Sequence, residues 1–217
     1  FPVPAGLKDK LPRMKSRVKG FSDLQANVDS AEATEVKQYL SNLKPGEYKA
    51  AIEELSAAGS YIHGTHVAGI AVAGNPYARL ANARSTQAYV DFFRRHRVRV
   101  VNMSFGGSVG GVEGQLEQCG IGASADERRK IAREWFDIGK GAFVRAMASA
   151  PEVLFVAAAG NENADSSFAE SIPADIVLPN LITVGAVDKA GDEAPFTSYG
   201  RTVVVHANGY LVDSVIP

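Results

Sequence analysis

The sequence predicts an α/β fold in which a largely parallel sheet is flanked by helices in three layers. Two segments, "EVLFVAAAG" at 152–160 and "LITVGAV" at 181–187, are continuous apolar runs. Such runs are typical of strands that are buried on both faces of a parallel sheet. Longer segments before and between them have apolar residues at helical spacing, and this alternation indicates parallel strands joined by helices.

The first sixty residues predict a separate region ahead of this sheet. Residues 1–20 are rich in proline and basic residues, which favours a solvated loop. Residues 29–58 have apolar side chains at three- and four-residue spacings, which predicts two amphipathic helices with a break near Pro45 and Gly46. We therefore expect an upstream loop and helical insertion at 1–60, followed by a second region at 61–217.

The second region is expected to alternate between helices and strands. The order that the patterns predict is a helix of small residues from Ile62 to about Ala73, a strand near 78–83, a helix near 87–97, a strand at 98–103, a glycine-rich loop to about Ser124, and a long helix at 125–148. The apolar face of the long helix is expected to contain Ile131, Trp135, Ile138, Phe143 and Met147. The first strand meets the next helix almost without a connection, so we expect residues to be missing between Arg84 and Ser85.

Composition disfavours two classes of partner. The 217 residues are 46% hydrophobic and carry a net charge of −1, so no global field attracts nucleic acid or an anionic membrane. The longest weakly polar run is far shorter than the ~20 residues that a membrane span needs.

Cys119 is the single cysteine and cannot form an internal disulfide. The chain begins at Phe1 and stops at Pro217 after an apolar run, so we expect a piece of a longer protein.

The stretch "YIHGTHVAGI" at 61–70 contains two histidines and two glycines in ten positions. His63 and His66 are three residues apart and would share one helical face, a spacing that two metal ligands can have. No carboxylate stands between them, as the helix of a zinc protease would require, so we expect no metal site here. Gly64 and Gly69 each weaken a helix by about 1 kcal/mol, which suggests close approach of neighbouring backbone.

"HGTHVAGI" resembles the histidine motif of the subtilisin-like serine proteases, in which the first histidine is the general base. The resemblance assigns that role to His63. "LFVAAAGNEN" at 154–163 resembles the strand whose asparagine stabilises the oxyanion, which assigns that role to Asn161. "VVNMSFGG" at 100–107 resembles the substrate-binding strand of the family. It implies that two short segments line the S1 pocket, namely Ser104, Phe105 and Gly106 on one side and Ala158, Ala159 and Gly160 on the other.

Two motifs of the family are absent. The aspartate motif V-x-D-[ST]-G has one weak counterpart, "NVDSAEA" around Asp29, which is better explained as a helix start capped by Asp29 or Ser30. The nucleophile motif G-T-S-M-A-x-P is also missing, and Ser214 lacks the neighbours that would activate it. We therefore interpret 61–217 as a partial subtilisin-like catalytic domain that supplies a base and an oxyanion donor but no nucleophile.

A second motif suggests a different enzyme class. "GGSVG" at 106–110 matches the G-x-S-x-G nucleophile elbow of α/β-hydrolases, with Asp188 and His206 following in the expected order. An elbow places its serine on a tight turn from strand to helix, whereas Ser108 is expected in a glycine-rich loop. This alternative also leaves the histidine and asparagine motifs unexplained. A third possibility is a pseudo-protease, a subtilisin-like domain that binds polypeptides without cleaving them.

The resemblance implies a serine endopeptidase in the complete protein, with a polypeptide in extended conformation as substrate. It also implies that structural calcium can be present, without indicating ligands, and it favours a secreted or cell-envelope location. Because a base and an oxyanion donor flank one reacting carbon, we expect His63 and Asn161 within roughly 10 Å of each other. Phe105 and the small residues opposite it predict a preference for apolar or aromatic P1 residues.

Overall fold

A computed structural model describes residues 9–25, 29–81 and 89–215. The chain forms two compact units, one of Phe1–Leu80 with Asp213–Pro217 and the other of Ala81–Val212. The predicted boundary at residue 60 remains a prediction, although the compact units divide twenty residues later. None of the helices in the described ranges is long and apolar enough to cross a membrane.

The described residues of the first unit form three helices: α1 (Leu11–Gln25), α2 (Ala31–Ser41) and α3 (Pro45–Val72). The loop expected over residues 1–20 is therefore wrong from Leu11 onward, and residues 1–8 lie outside the described residues. Pro12 does not prevent α1, because the first helical turn has no internal bond for a backbone N–H to make. Burial of Val18 against the other helices then stabilises the helix. The interior of the unit contains Val18, Ala33, Val36, Ala51 and Leu55.

Helix α3 differs from its prediction in length. The break at Pro45 and Gly46 is confirmed, because Pro45 begins the helix. The helix then continues without interruption through residue 60, so the separate helix expected from Ile62 is wrong. Nothing between 51 and 61 stops it, since alanine, glutamate and leucine favour helix and Ser60 does not cap a new one. It ends at Val72, followed by Gly74 with a φ of +71°.

The second unit contains a four-stranded parallel sheet, which confirms the predicted α/β class. The strands are β1 (Val100–Met103), β3 (Leu154–Ala158), β5 (Leu181–Val187) and β6 (Val203–Asn208), in spatial order β1-β3-β5-β6. Short strands β2 (Gly107–Ser108) and β4 (Ser171–Ile172) form a separate antiparallel pair. The helices are α4 (Tyr89–Arg95), α5 (Val109–Gln118), α6 (Ala125–Ala148) and the short α7 (Ser166–Ala169).

Helices α4 and α6 pack on one face of this sheet. Val90 of α4 and Met147 of α6 share a buried cluster with Phe155 of β3, and Phe155 also meets the ring of Phe93 edge-on. On the opposite face Val100, which pairs in register with Leu154, is 56% exposed. The core of the unit therefore lies between the sheet and these two helices.

Three local predictions for the chain after helix α3 need correction. Residues 78–81 form no strand, and residues 82–83, like the suspected gap at Arg84 and Ser85, lie outside the described residues. The expected loop before Ser124 contains α5, because Val109, Val112 and Leu116 recur at helical spacing and pack against α6. Helix α6 has its predicted bounds, but its buried face is displaced from Trp135 and Ile138, which are 66% and 70% exposed, to Ala132 and Phe136.

Candidate active site

The candidate site begins where β1 and β3 end. The two strands are parallel neighbours, and Met103 pairs with Ala157. Ser104, which follows β1, and Ala158, the last residue of β3, therefore lie at the same carboxyl edge of the sheet, the edge at which α/β sheets bind ligands. The side-chain amide of Asn102 donates a hydrogen bond of 2.9 Å to the Ser104 hydroxyl. The structure thus brings the two predicted S1 segments to one edge of the sheet.

A sharp turn follows β3 at Gly160. The Ala159 N–H still donates to the carbonyl of Val184 at 2.9 Å, whereas Gly160 has a φ of +117°, which side chains rarely allow. The Ser198 N–H donates to the Gly160 carbonyl at 3.0 Å. A Cβ atom at Gly160 would lie 2.5 Å from Glu162 Oε2 and 2.9 Å from Ser198 Oγ. Only glycine therefore fits this turn without displacing its neighbours.

Glu162 and buried Ser198 hold the backbone on both sides of Asn161. The Asn161 N–H donates to Glu162 Oε2 at 2.8 Å, and the Ser198 hydroxyl donates to the same oxygen at 3.2 Å. The Glu162 N–H donates to the Ser198 hydroxyl at 3.3 Å. The side chain of Asn161 itself is exposed. No local sequence pattern points to these two supporting residues, because Glu162 and Ser198 are 36 positions apart in the chain.

The rest of the loop is tied to the segment that contains Ser198. The Asn163 N–H donates to the Phe196 carbonyl at 2.9 Å, and the Tyr199 N–H donates to the Ala164 carbonyl at 3.0 Å. The Ser166 N–H then donates to the Tyr199 carbonyl at 2.8 Å. This series of backbone bonds fixes the path of the chain after Asn161.

Phe105 and Gly106 leave β1 on the side of helix α6. Phe105 is 45% exposed, and its ring lies 6.1 Å from that of Phe143. A Cβ at Gly106 would lie 3.4 Å from the Ile172 carbonyl oxygen, so strand β4 passes close to this position. Phe105 therefore rests on a helix while part of its ring stays open to solvent.

An ion pair between α6 and the residue before β4 supports this region. The Arg133 guanidinium donates to both carboxylate oxygens of Glu170. These hydrogen bonds hold the pKa of the Glu170 carboxyl below its usual range and raise that of Arg133. Because the pair joins α6 to the start of β4, it helps to keep β4 in place beside β2 and Gly106.

His63 lies within α3 and is exposed. The helix start expected at Ile62 would have placed His63 in the first turn of a helix, and this is wrong, because α3 begins at Pro45. The close approach of neighbouring chain that was expected at Gly64 and Gly69 is found only at Gly69. A Cβ at Gly69 would collide with Ser214 and lie 2.6 Å from Val215 Cγ2, whereas Gly64 has nothing within 4 Å. His63 and Asn161 belong to different compact units, and their expected proximity remains a prediction.

The other candidate residues serve local structure. The hydroxyl of Ser214 donates to the His66 carbonyl at 2.7 Å. Ser30, rather than Asp29, caps α2 by accepting from the Ala33 N–H at 2.9 Å. The hydroxyl of Ser108 caps α5 by accepting from the Gly111 N–H. In the parts of the chain that the structure describes, no group of three or more metal-ligating side chains comes together.

Comparison with known proteins identifies the family. A family model, described as the subtilase family of peptidases, matches residues 22–214, and the chain belongs to this family. Alkaline protease 1 of Aspergillus clavatus is 33% identical over 156 residues, which are 68% of this chain and 34% of that protein. Subtilisin Savinase of Lederbergia lenta is 33% identical over 158 residues, which are 71% of this chain and 53% of that protein. The chain therefore spans about a third to a half of the length of these relatives.

A search of solved structures also found similar chains. The structure of a cold-adapted subtilisin-like serine proteinase is 25% identical, with a TM-score of 0.42, over 71% of this chain and 51% of that one. The family assignment rests on the family model and the curated relatives. Membership of the subtilase family gives no support to the interpretation of Ser108 as the nucleophile of an α/β-hydrolase.

Proposed function

We propose that the complete protein is a serine endopeptidase that cleaves extended polypeptides through an acyl-enzyme. In this proposal His63 is the general base and the side-chain amide of Asn161 donates to the oxyanion. The observation that carries it is the turn after β3, where Gly160, Glu162 and Ser198 fix the backbone of Asn161 and leave its amide exposed. Preorganised donors of this kind are the largest single contribution to catalysis in many acyl transfers.

Substrate binding is assigned to the segments that leave β1 and β3. Ser104, Phe105 and Gly106 would face Ala158, Ala159 and Gly160 across the S1 pocket. The register of β1 and β3 supports this assignment, since both segments begin at the same level of one sheet edge. No charged residue occurs among the six, so apolar or aromatic P1 residues are favoured. Cleavage of a peptide library mainly after Lys or Arg would contradict this part of the proposal.

The nucleophile has no counterpart in the 217 residues. Triad members act as a unit, and without the serine only binding and electrostatic effects remain, worth about 10³–10⁴ over the reaction in water. The chain by itself is therefore proposed to lack measurable peptidase activity.

The test compares this chain with the product of the complete reading frame that contains it. A fluorophosphonate probe should leave the 217-residue chain unlabelled and should label a serine of the longer product. In that product, H63A should abolish labelling, while H66A, one turn further along the same helix, serves as the control and should retain it. N161A should lower turnover by about 10²–10³, a magnitude measured on a subtilisin rather than on this chain.

The outcomes separate the competing functions. Labelling of Ser108 in the 217-residue chain would overturn the subtilisin-like mechanism. A longer product that binds extended peptides but takes up no probe would be a pseudo-protease. Labelling that is lost equally in H63A and H66A would remove the specific role proposed for His63.

A further inference from the structure

A pocket lies at the opposite edge of the sheet from the candidate active site. It opens where β1 and β3 begin, beside Arg99 and Val153, and has a volume of about 280 Å³. Phe93 and Val98 are half-buried and form its apolar floor together with buried Val153. Because β1 is four residues long, this pocket is separated from the carboxyl edge by roughly 10–13 Å.

The rim of the pocket carries an excess of positive charge. It contains three arginines and one carboxylate, that of Glu152. The guanidinium of Arg94 is already engaged, because its Nε pairs with Glu152 at 3.1 Å and its Nη2 donates to the Ser149 carbonyl. Within the described ranges, neither Arg97 nor Arg99 makes an ion pair. The pKa of Glu152 is lowered by a backbone hydrogen bond, by Arg94 and to a smaller extent by the charge of Arg99. An anion in the pocket would therefore meet the guanidinium of Arg97 and would share that of Arg99 with Glu152.

Arg97 occupies a backbone position that favours glycine. It follows α4 with a φ of +52°, in the left-handed region. The Arg97 N–H donates to the Arg94 carbonyl at 3.1 Å, and the Val98 N–H donates to the Phe93 carbonyl at 2.8 Å. This is the Schellman arrangement, in which the left-handed residue is usually glycine because a side chain strains it. An arginine at a strained position on the rim of a pocket points to a function for its side chain.

We infer that this pocket binds an organic carboxylate with an apolar body. An arginine suits a carboxylate, because two N–H groups of one guanidinium match the two carboxylate oxygens. Phe93 and Val98 favour binding of a ligand with an apolar body, whereas an inorganic anion would lose hydration beside them without a compensating contact. The carboxylate can belong to a free small molecule or to the C-terminal residue of a peptide. The inference does not depend on the proposed peptidase function, because the pocket shares no residue with the candidate active site.

The experiment uses the 217-residue chain and isothermal titration calorimetry. Phenylacetate is the free probe and acetyl-Ala-Phe with a free carboxylate is the peptide probe. Acetate and 2-phenylethanol lack the apolar body and the charge, respectively, and both should bind at least about tenfold more weakly than phenylacetate. Tighter binding of the peptide acid than of phenylacetate, lost in the peptide amide, would identify a peptide C-terminus as the source.

Three variants locate the binding. R97G and R99Q should each weaken binding of phenylacetate about tenfold, the effect of losing one charge-assisted hydrogen bond. R95A removes an arginine of α4 that does not line the pocket and should change binding less than twofold. R97G should also keep or raise the thermal midpoint, because glycine suits the left-handed position, so weaker binding there cannot reflect unfolding.

Two results would overturn the inference. One is that neither phenylacetate nor acetyl-Ala-Phe shows saturable binding up to about 20 mM, because any dissociation constant would then be too high for a specific site. The other is that R95A weakens binding as much as R97G, which would indicate diffuse attraction to a basic helix rather than a site.

Discussion

Replacing Gly160 by alanine should destabilise the second unit more than a backbone effect alone can explain. The residue has a φ of +117°, and the new Cβ would lie 2.5 Å from Glu162 Oε2 and 2.9 Å from Ser198 Oγ. Ser198 is 3% exposed and has little room to move. The substitution therefore combines backbone strain with the loss of the hydrogen bonds around Asn161.

Gly191 provides a matched control for the strain. It has a φ of +91°, and nothing lies within 4 Å of its Cβ position. Alanine at either position is strained by about 1–3 kcal/mol. G160A additionally loses or distorts two hydrogen bonds between Glu162 and its partners, at about 1 kcal/mol each. The free energy of unfolding should therefore fall by about 2 kcal/mol more in G160A than in G191A.

Urea denaturation measures this difference. Trp135 is the single tryptophan and lies in α6 of the second unit, so its fluorescence follows that unit. Each variant should keep the wild-type dependence on urea concentration and shift only its midpoint. If G160A and G191A lose the same stability within about 0.5 kcal/mol, the close packing of Glu162 and Ser198 against Gly160 is refuted.

Three further changes test the packing of the second unit, each by urea denaturation. N180A should lower the free energy of unfolding by about 1–3 kcal/mol, because the Asn180 amide donates to the carbonyls of Met147, Ala150 and Val153. N180D should lower the free energy of unfolding further, because it removes the donor and adds a charge. An N180A midpoint equal to that of the wild type would contradict this prediction. S124A should lower the free energy of unfolding by about 1 kcal/mol, because the Ser124 hydroxyl caps α6 by accepting from the Glu127 N–H at 3.2 Å. S149A, at the C-terminal end of the same helix, is the control that leaves the N-cap intact. E170Q should lower the free energy of unfolding by less than about 1 kcal/mol at pH 7, because the pair with Arg133 is partly exposed. The folded pKa of Glu170 is lowered by Arg133, so this contribution is present above the unfolded pKa and disappears as the pH falls through the folded value; a wild-type advantage that persists at pH 2 would refute the ion pair as its source.

The sequence alone determined the elements that have strong local signals. Helix α6 has the predicted bounds because Ser124 caps its start and helix-forming residues fill the interval to Ala148. Strands β3 and β5 lie inside the predicted apolar runs, although the burial on both faces expected from those runs is not found in β3, where Phe155 and Ala157 are buried and Leu154 and Ala158 are exposed. The histidine and asparagine motifs also led to the family by residue identity alone, although the roles of His63 and Asn161 remain proposals.

Tertiary contacts decided the structure of segments whose local sequence is compatible with more than one conformation. Helix α1 forms despite Pro12 because Val18 is buried against the other helices, and α5 forms despite its glycines because it packs against Ala132 and Phe136 of α6. Residues 131–138 carry apolar side chains on more than one face, so only the neighbours of α6 select the buried one. The pairing of Glu162 with Ser198 likewise depends on two loops being brought together. Packing free energy comes from surfaces distant in the chain, and local propensities of a few tenths of a kcal/mol per residue cannot anticipate it.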